Sequence, residues 1–239
     1  MTSASKPSPK PTRVSRVAEA LRQAILKGDL APGAKVNLDH LRERFDVSLS
    51  PMREAMARLV ADGLVSFEDQ RGYTITPLSR ANLAEVTALR ADLETSALGH
   101  AVERAGLDWE SDVLAALHRL DRTRRDPDRP ETLEAWETAH TEFHAALIGG
   151  CRMPLLVGFC TVLHNLTDRY RRLPAPRVPA GRDGPTSCDG PAGCDGAAEH
   201  RAIAEAAVAR DGPQAVALLR AHIERTGADL AIRLPPDIH

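Results

Sequence analysis

Residues 47–77 read VSLSPMREAMARLVADGLVSFEDQRGYTITP, and the hydrophobic period changes inside that stretch. Met52, Ala55, Met56, Leu59 and Val60 fall at helical spacing and form one face, with Gly63 placed to end the helix. Ser50 is suited to cap that helix, and Pro51 to its first turn, where a missing N–H and a fixed φ cost nothing. Beyond Gly63, LVSFE and YTITP are short β-type runs around DQRG, which predicts a hairpin.

Upstream, Val14, Val17, Leu21, Ile25 and Leu26 mark a first helix that stops at KGDLAPGAKV. NLDHLRERF follows as a shorter amphipathic stretch with Asn37 as its cap. Residues 1–12 are rich in Ser, Pro and Lys without periodicity and are expected to form a disordered arm. Three helices and a hairpin over residues 13–77 are the layout of a winged helix-turn-helix. Residues 1–77 carry twelve Lys/Arg against nine Asp/Glu, whereas the rest carries 19 against 24. A basic front end on an acidic back end points to a polyanion-binding module joined to a different second domain.

The residues narrow the family. I-x-x-G-x-L-x-P-G at 25–33, V-S-x-S-P-x-R-E-A at 47–55, L-x-x-x-G-L-V at 59–65 and R-G-Y-x-I at 71–75 closely resemble the DNA-binding domain of the GntR superfamily of bacterial transcription regulators. The resemblance implies double-stranded operator DNA as partner. Ser48 and Ser50 would stand near phosphates or base edges, Arg53 would reach further into the major groove, and Arg71 beside Gly72 would present the wing. Two positions depart from the family pattern. Leu49 and Asp39 stand where many members carry basic residues, so neither contact is carried over.

From Ser79 onward the periodicity is helical throughout. The first run extends through Ala101, and further ones are expected at about 108–125, 130–150, 153–173, 197–211 and 213–233. Residues 78–235 are therefore read as an all-helical bundle, making the whole chain mainly α. Its landmarks are L-R-x-x-L-E at 89–94, F-H-x-A-L at 143–147, E-H-x-A-I-x-E-A at 199–206 and A-x-x-L-L-R-x-H-I at 215–223. They resemble the FCD effector domain of the FadR branch.

His140 and His144 are four apart and share a helix face, while His200 and His222 belong to two other helices. The resemblance implies a divalent metal held by an aspartate, the histidine of the F-H motif and two later histidines. Here His140 occupies the aspartate position, giving the set His140, His144, His200 and His222. All-nitrogen ligation suits a transition metal, zinc first and Ni, Co or Cu as alternatives. Exchanging a carboxylate for a neutral imidazole leaves more of the ion's charge uncompensated, which favours an anionic ligand. Arg90, Asn165 and Arg169 are polar residues on otherwise packed helices and are candidates to receive an organic-acid effector.

No run of eighteen apolar residues exists, and the N-terminus has no apolar stretch behind its basic residues. A cytoplasmic protein with reduced cysteines is expected, Cys151 and Cys160 as small buried residues. Cys188 and Cys194 lie in a Gly/Pro-rich segment where redox sensing or soft-metal capture is a minor alternative. The expected function is an effector-controlled transcription regulator, a repressor working as a homodimer and not an enzyme. One rival is a regulator that answers to the ion itself. The other is a zinc-dependent hydrolase, which the sequence disfavours because it lacks HExxH and Glu142 faces away from the His140–His144 pair.

Overall fold

The computed structural model describes residues 12–126, 129–173 and 191–234, with backbone alone for 130 and 191–195. The chain divides into two compact units, Met1–Leu78 and Ser79–His239.

The first unit contains α1 (Arg13–Leu26), α2 (Leu38–Arg44), α3 (Leu49–Ala61), β1 (Val65–Glu68) and β2 (Gly72–Ile75). Thr12, at the end of the expected N-terminal arm, caps α1 by accepting from Ser15 N, while residues 1–11 lie outside the described residues. Asn37 caps α2 through the backbone N–H of His40, as its position predicts. Leu21, Met52, Met56, Leu59 and Ile75 are fully buried and form the core between the helices and the hairpin.

The start of α3 differs from the sequence expectation. Ser48, not Ser50, is the N-cap residue, and Pro51 is the third helical residue. The shift costs no hydrogen bond, because none of the first few N–H groups of a helix has an intrahelical acceptor. Gly63 ends the helix at φ +71°, a left-handed conformation that a side chain would strain. The wing pairs antiparallel in the register Val65↔Ile75 to Glu68↔Gly72. Its open edge is covered by the segment before α2, where Ala34 O accepts from Ile75 N and Val36 N donates to Tyr73 O, both at 2.9 Å.

The second unit contains α4 (Arg80–Arg104), α5 (Leu107–Arg122), α6 (Pro130–Gly149), α7 (Pro154–Arg171), α8 (Pro191–Val208) and α9 (Gly212–Arg233). The expected helices agree with these to within a few residues, except that α8 begins six residues earlier than periodicity suggests. Leu98, Val113, Phe143, Leu147, Ile203, Leu219 and Ile223 form the central cluster. α4 packs along α7 and α9. Gly227 permits the closest α4–α9 approach, for a Cβ there would lie 2.5 Å from Thr87 Cγ2 and Oγ1. At the head of α4, Ser79 caps the helix through Asn82 N, and the Tyr170 hydroxyl from α7 donates to Asn82 Oδ1 at 2.8 Å and accepts from Ser79 N at 3.3 Å. Among the described residues, no helix is long and apolar enough to cross a membrane.

Candidate metal centre and nucleic-acid interface

Three helices of the second unit bring the four expected histidines together. α6 supplies His140 and His144 from successive turns, ring centroids 4.6 Å apart, α8 supplies His200, and α9 supplies His222. All four are buried, and one ring nitrogen from each lies within 4.8 Å of all the others. Burial is the largest cause lowering the pKa of each ring, with the neighbouring arginines or other histidines adding to it. His144 falls to about 4, and His140, His200 and His222 are also lowered. All four are therefore neutral near pH 7, the form that ligates metals.

The unsatisfied nitrogens fit a bound cation. His140 Nδ1, both nitrogens of His144 and His200 Nε2 make no hydrogen bond, although leaving a buried polar atom unpaired is costly. Around a tetrahedral ion with bonds of about 2.1 Å the ligand atoms stand about 3.4 Å apart, so the four rings would draw inward to hold one. His222 is held differently. Its Nδ1 lies 2.7 Å from Glu199 Oε2, so Nδ1–H donates to the carboxylate and Nε2 is left for a ligand. Burial would raise the Glu199 carboxyl, but hydrogen bonds from His222 and Arg225 outweigh it and pull the group down to about 2. Glu94 Oε2 lies 3.4 Å from His144 Nδ1, a charge contact without a hydrogen bond. With His140 in the aspartate position, carboxylates still attend the site, one step behind the histidines.

A fifth buried histidine, His164 on α7, was not among the expected site residues. Its Nδ1 is 3.2 Å from Arg90 Nη2 and its Nε2 is 3.2 Å from Thr141 Oγ1. Glu94, His144 and His164 also bring three potential ligand atoms within 4.8 Å. Arg90 already supplies the positive charge there. Its guanidinium grips Glu94 in a two-pronged ion pair, Nε–Oε1 2.6 Å and Nη2–Oε2 3.2 Å, with both side chains at most 3% exposed. Burial would raise the Glu94 carboxyl, but the Arg90 charge holds it well below the usual carboxylate range.

A cavity of about 380 Å³ opens onto His140, His200 and His222. Trp136 forms part of its wall, stacked on His140 with centroids 4.8 Å apart, and Arg125 lies over the indole at 5.1 Å. Arg171 is the buried arginine of this wall, paired with Asp168 and, at 3.1 Å, with Glu137. Burial is the main cause that lowers its pKa to about 10, which still leaves it charged at pH 7.

The three expected effector residues do not meet at this cavity. Arg90 is committed to Glu94, and Asn165 borders a separate space of about 60 Å³ beside His144 and His164. Arg169 is buried but lines neither space. Arg169 and Arg171 are two residues apart and so about 200° apart around α7, which turns Arg171 to the cavity and Arg169 away from it. Glu142 is exposed and pairs with Arg119 at 3.3 Å, so it faces away from the histidines as its spacing predicts. Cys151 and Cys160 are buried thiols, Cys160 pushed up to about 12 by burial. Cys188 and the side chain of Cys194 lie outside the described residues.

In the first unit, Ser48, Ser50 and Arg53 are all exposed at the N-terminal end of α3. The Ser48 side chain makes no capping bond, so its hydroxyl and the first N–H groups of α3 face outward together, an arrangement suited to a phosphate. Among the described residues, no carboxylate pairs with Arg53. Arg71 is exposed on the wing and bridges to Glu68 at 2.9 Å, and Gly72 beside it has φ +79° with nothing within 4 Å of a Cβ.

Comparison with known proteins agrees with both halves. Residues 13–75 match the gntR family of bacterial regulatory proteins, and residues 85–225 match the FCD domain. The chain belongs to the GntR family of transcription regulators, with an FCD domain behind its DNA-binding head. It is 35% identical over 210 residues to the HTH-type transcriptional regulator BphR of Paraburkholderia xenovorans, covering 86% of this chain and 80% of that one. It is 30% identical over 203 residues to the HTH-type transcriptional repressor GlaR of Escherichia coli, covering 85% and 89%. Its fold is similar to that of E. coli McbR/YncC, with TM-score 0.71 at 20% identity over 92% of this chain and 97% of that one. The relatives are regulators, and this chain is a DNA-binding regulator, not an enzyme.

Proposed function

We propose that the protein is a homodimeric repressor, acting in the cytoplasm, whose grip on a pseudo-palindromic operator is released by a small anionic metabolite. The metabolite binds in the 380 Å³ cavity beside a divalent transition metal, zinc first, held by His140, His144, His200 and His222. The observation that carries this reading is the buried four-histidine cluster, with unmet ring nitrogens, opening onto an arginine-lined cavity in a chain headed by a winged helix. When bound, the ion would supply an open coordination position for the metabolite's acid group. Glu199 orients His222, and Arg171 keeps a positive charge on the cavity wall.

Operator contact is assigned to Ser48, Ser50, Arg53, Arg71 and Gly72 on exposure and position. Repression is supported by the name of the GlaR relative. A dimer is supported by the exposed apolar residues Leu155 and Phe159, one turn apart on α7 and 82% and 62% exposed, and would match an operator of two half-sites. The metabolite lowers operator affinity only by its difference in affinity for the two states.

The test is retardation of the protein's own upstream intergenic DNA at low salt. Wild type should bind, and Arg53→Ala should lose about 1–3 kcal/mol of discrimination at one base position. Equal binding by Arg53→Ala would refute the DNA assignment. DNA release on adding or chelating the metal alone, with no organic acid, would transfer the effector role to the ion.

A further inference from the structure

The outward face of α3 has two unlike halves. In its second half Arg58 pairs with Glu54 at 3.0 Å and donates to Ser15 Oγ of α1, also at 3.0 Å, so these side chains are bound back to the protein. Its first turn carries Leu49 between the exposed Ser48 and Ser50, with Arg53 one turn further on. Leu49 is the first residue of α3 and is 37% exposed. Among the described residues of this unit, the exposed large apolar side chains are Leu49 and Phe67, and Phe67 packs on Tyr73 across the wing with ring centroids 4.8 Å apart. Met52, Ala55, Met56 and Leu59 form the buried side of the same helix.

Residues 13–75 match a DNA-binding family, and the N-terminal residues of a recognition helix face base edges in the major groove. Serine and arginine find acceptors there on bases and phosphates. Leucine has no donor or acceptor, so its loss of water is repaid only against another apolar group. The base edges of the major groove offer one such group, the C5-methyl of thymine. Against a purine, leucine would take water from N7 and its neighbour without returning a hydrogen bond, and against cytosine from the N4 amino group. The side chain therefore selects for thymine and against the other three bases.

We propose that Leu49 reads a thymine in each half-site of the operator by packing on its C5-methyl group. This rests on α3 being the helix that enters the operator, and adds to that reading the identity of one base and the side chain that selects it.

Random-sequence duplexes retained by the full-length protein give the half-site. Replacing each of its thymines in turn by deoxyuridine then removes the methyl and keeps every hydrogen-bonding group. One thymine per half-site should lose about fourfold in affinity, the worth of one buried methyl, and the loss should vanish in Leu49→Ala. Leu49→Arg should select guanine at that position and keep the rest of the half-site. Deoxyuridine duplexes that all bind like their parent, a loss that persists in Leu49→Ala, or an unchanged half-site for Leu49→Arg overturns the proposal. Failure of the wild type to retain any duplex at low salt overturns instead the operator assignment on which it rests.

Discussion

Removing one member of the Arg90–Glu94 pair should cost far more than removing both. The two groups are at most 3% exposed and joined at 2.6 and 3.2 Å, with Arg90 also 3.2 Å from His164 Nδ1. Unit charges about 4 Å apart attract by about 4 kcal/mol at an effective dielectric near 20, and desolvating both ions costs a comparable amount. The intact pair is thus nearly neutral in stability, whereas a lone buried carboxylate keeps the penalty without the attraction. Arg90→Met should destabilise the metal-free protein by about 3–5 kcal/mol, and Arg90→Met/Glu94→Met should stand within about 1 kcal/mol of wild type. For a unit of this size the single variant should melt roughly 6–20 °C lower. Urea denaturation followed by circular dichroism in the presence of EDTA measures this without a contribution from bound metal. A single variant costing under about 1 kcal/mol, or a double variant costing the sum of the singles, would refute the argument. A stable double variant that loses organic-acid binding would show that Arg90 serves the ligand after all.

Other expectations follow from the same geometry. Glu199→Gln should keep the fold but lower metal affinity about 10–100-fold, read by competition with a chromophoric chelator, and unchanged affinity would remove Glu199 from its orienting role. Gly227→Ala should destabilise by up to about 2 kcal/mol in urea, because an overpacking cost of about 1–3 exceeds a helix-propensity gain of about 1, and Thr87→Ala should recover part of the loss. His140→Ala should weaken metal binding if the ring ligates, and metal content equal to wild type would leave a three-histidine site.

The helices were legible in the sequence because their signals are local. Asn37 and Ser79 cap the helices they precede, and the buried faces follow the apolar period. The histidine pair on α6 was legible for the same reason. What attends it was not, since Glu94, His164, Arg171 and Glu199 depend on which faces of α4, α7, α8 and α9 meet, and spacing within one helix does not record that. Arg169 and Arg171 illustrate the limit, being alike in sequence context and separated by the rotation of α7. The start of α3 was misplaced because Pro is equally acceptable anywhere in the first turn, so Pro51 does not discriminate between Ser48 and Ser50.

Tyr170 gives α7 a mechanical meaning. The residue after it, Arg171, is part of the cavity wall, while its own hydroxyl is fastened to Ser79 and Asn82, where the chain enters α4 directly from the DNA-binding head. A helix backbone is stiff over one residue, so, on the proposed function, a ligand held by the guanidinium would also pull on the anchor. On the proposed function, Tyr170→Phe should weaken ligand-dependent release of DNA while leaving the cavity whole, because it removes the hydroxyl contacts to Ser79 and Asn82 without touching the cavity wall.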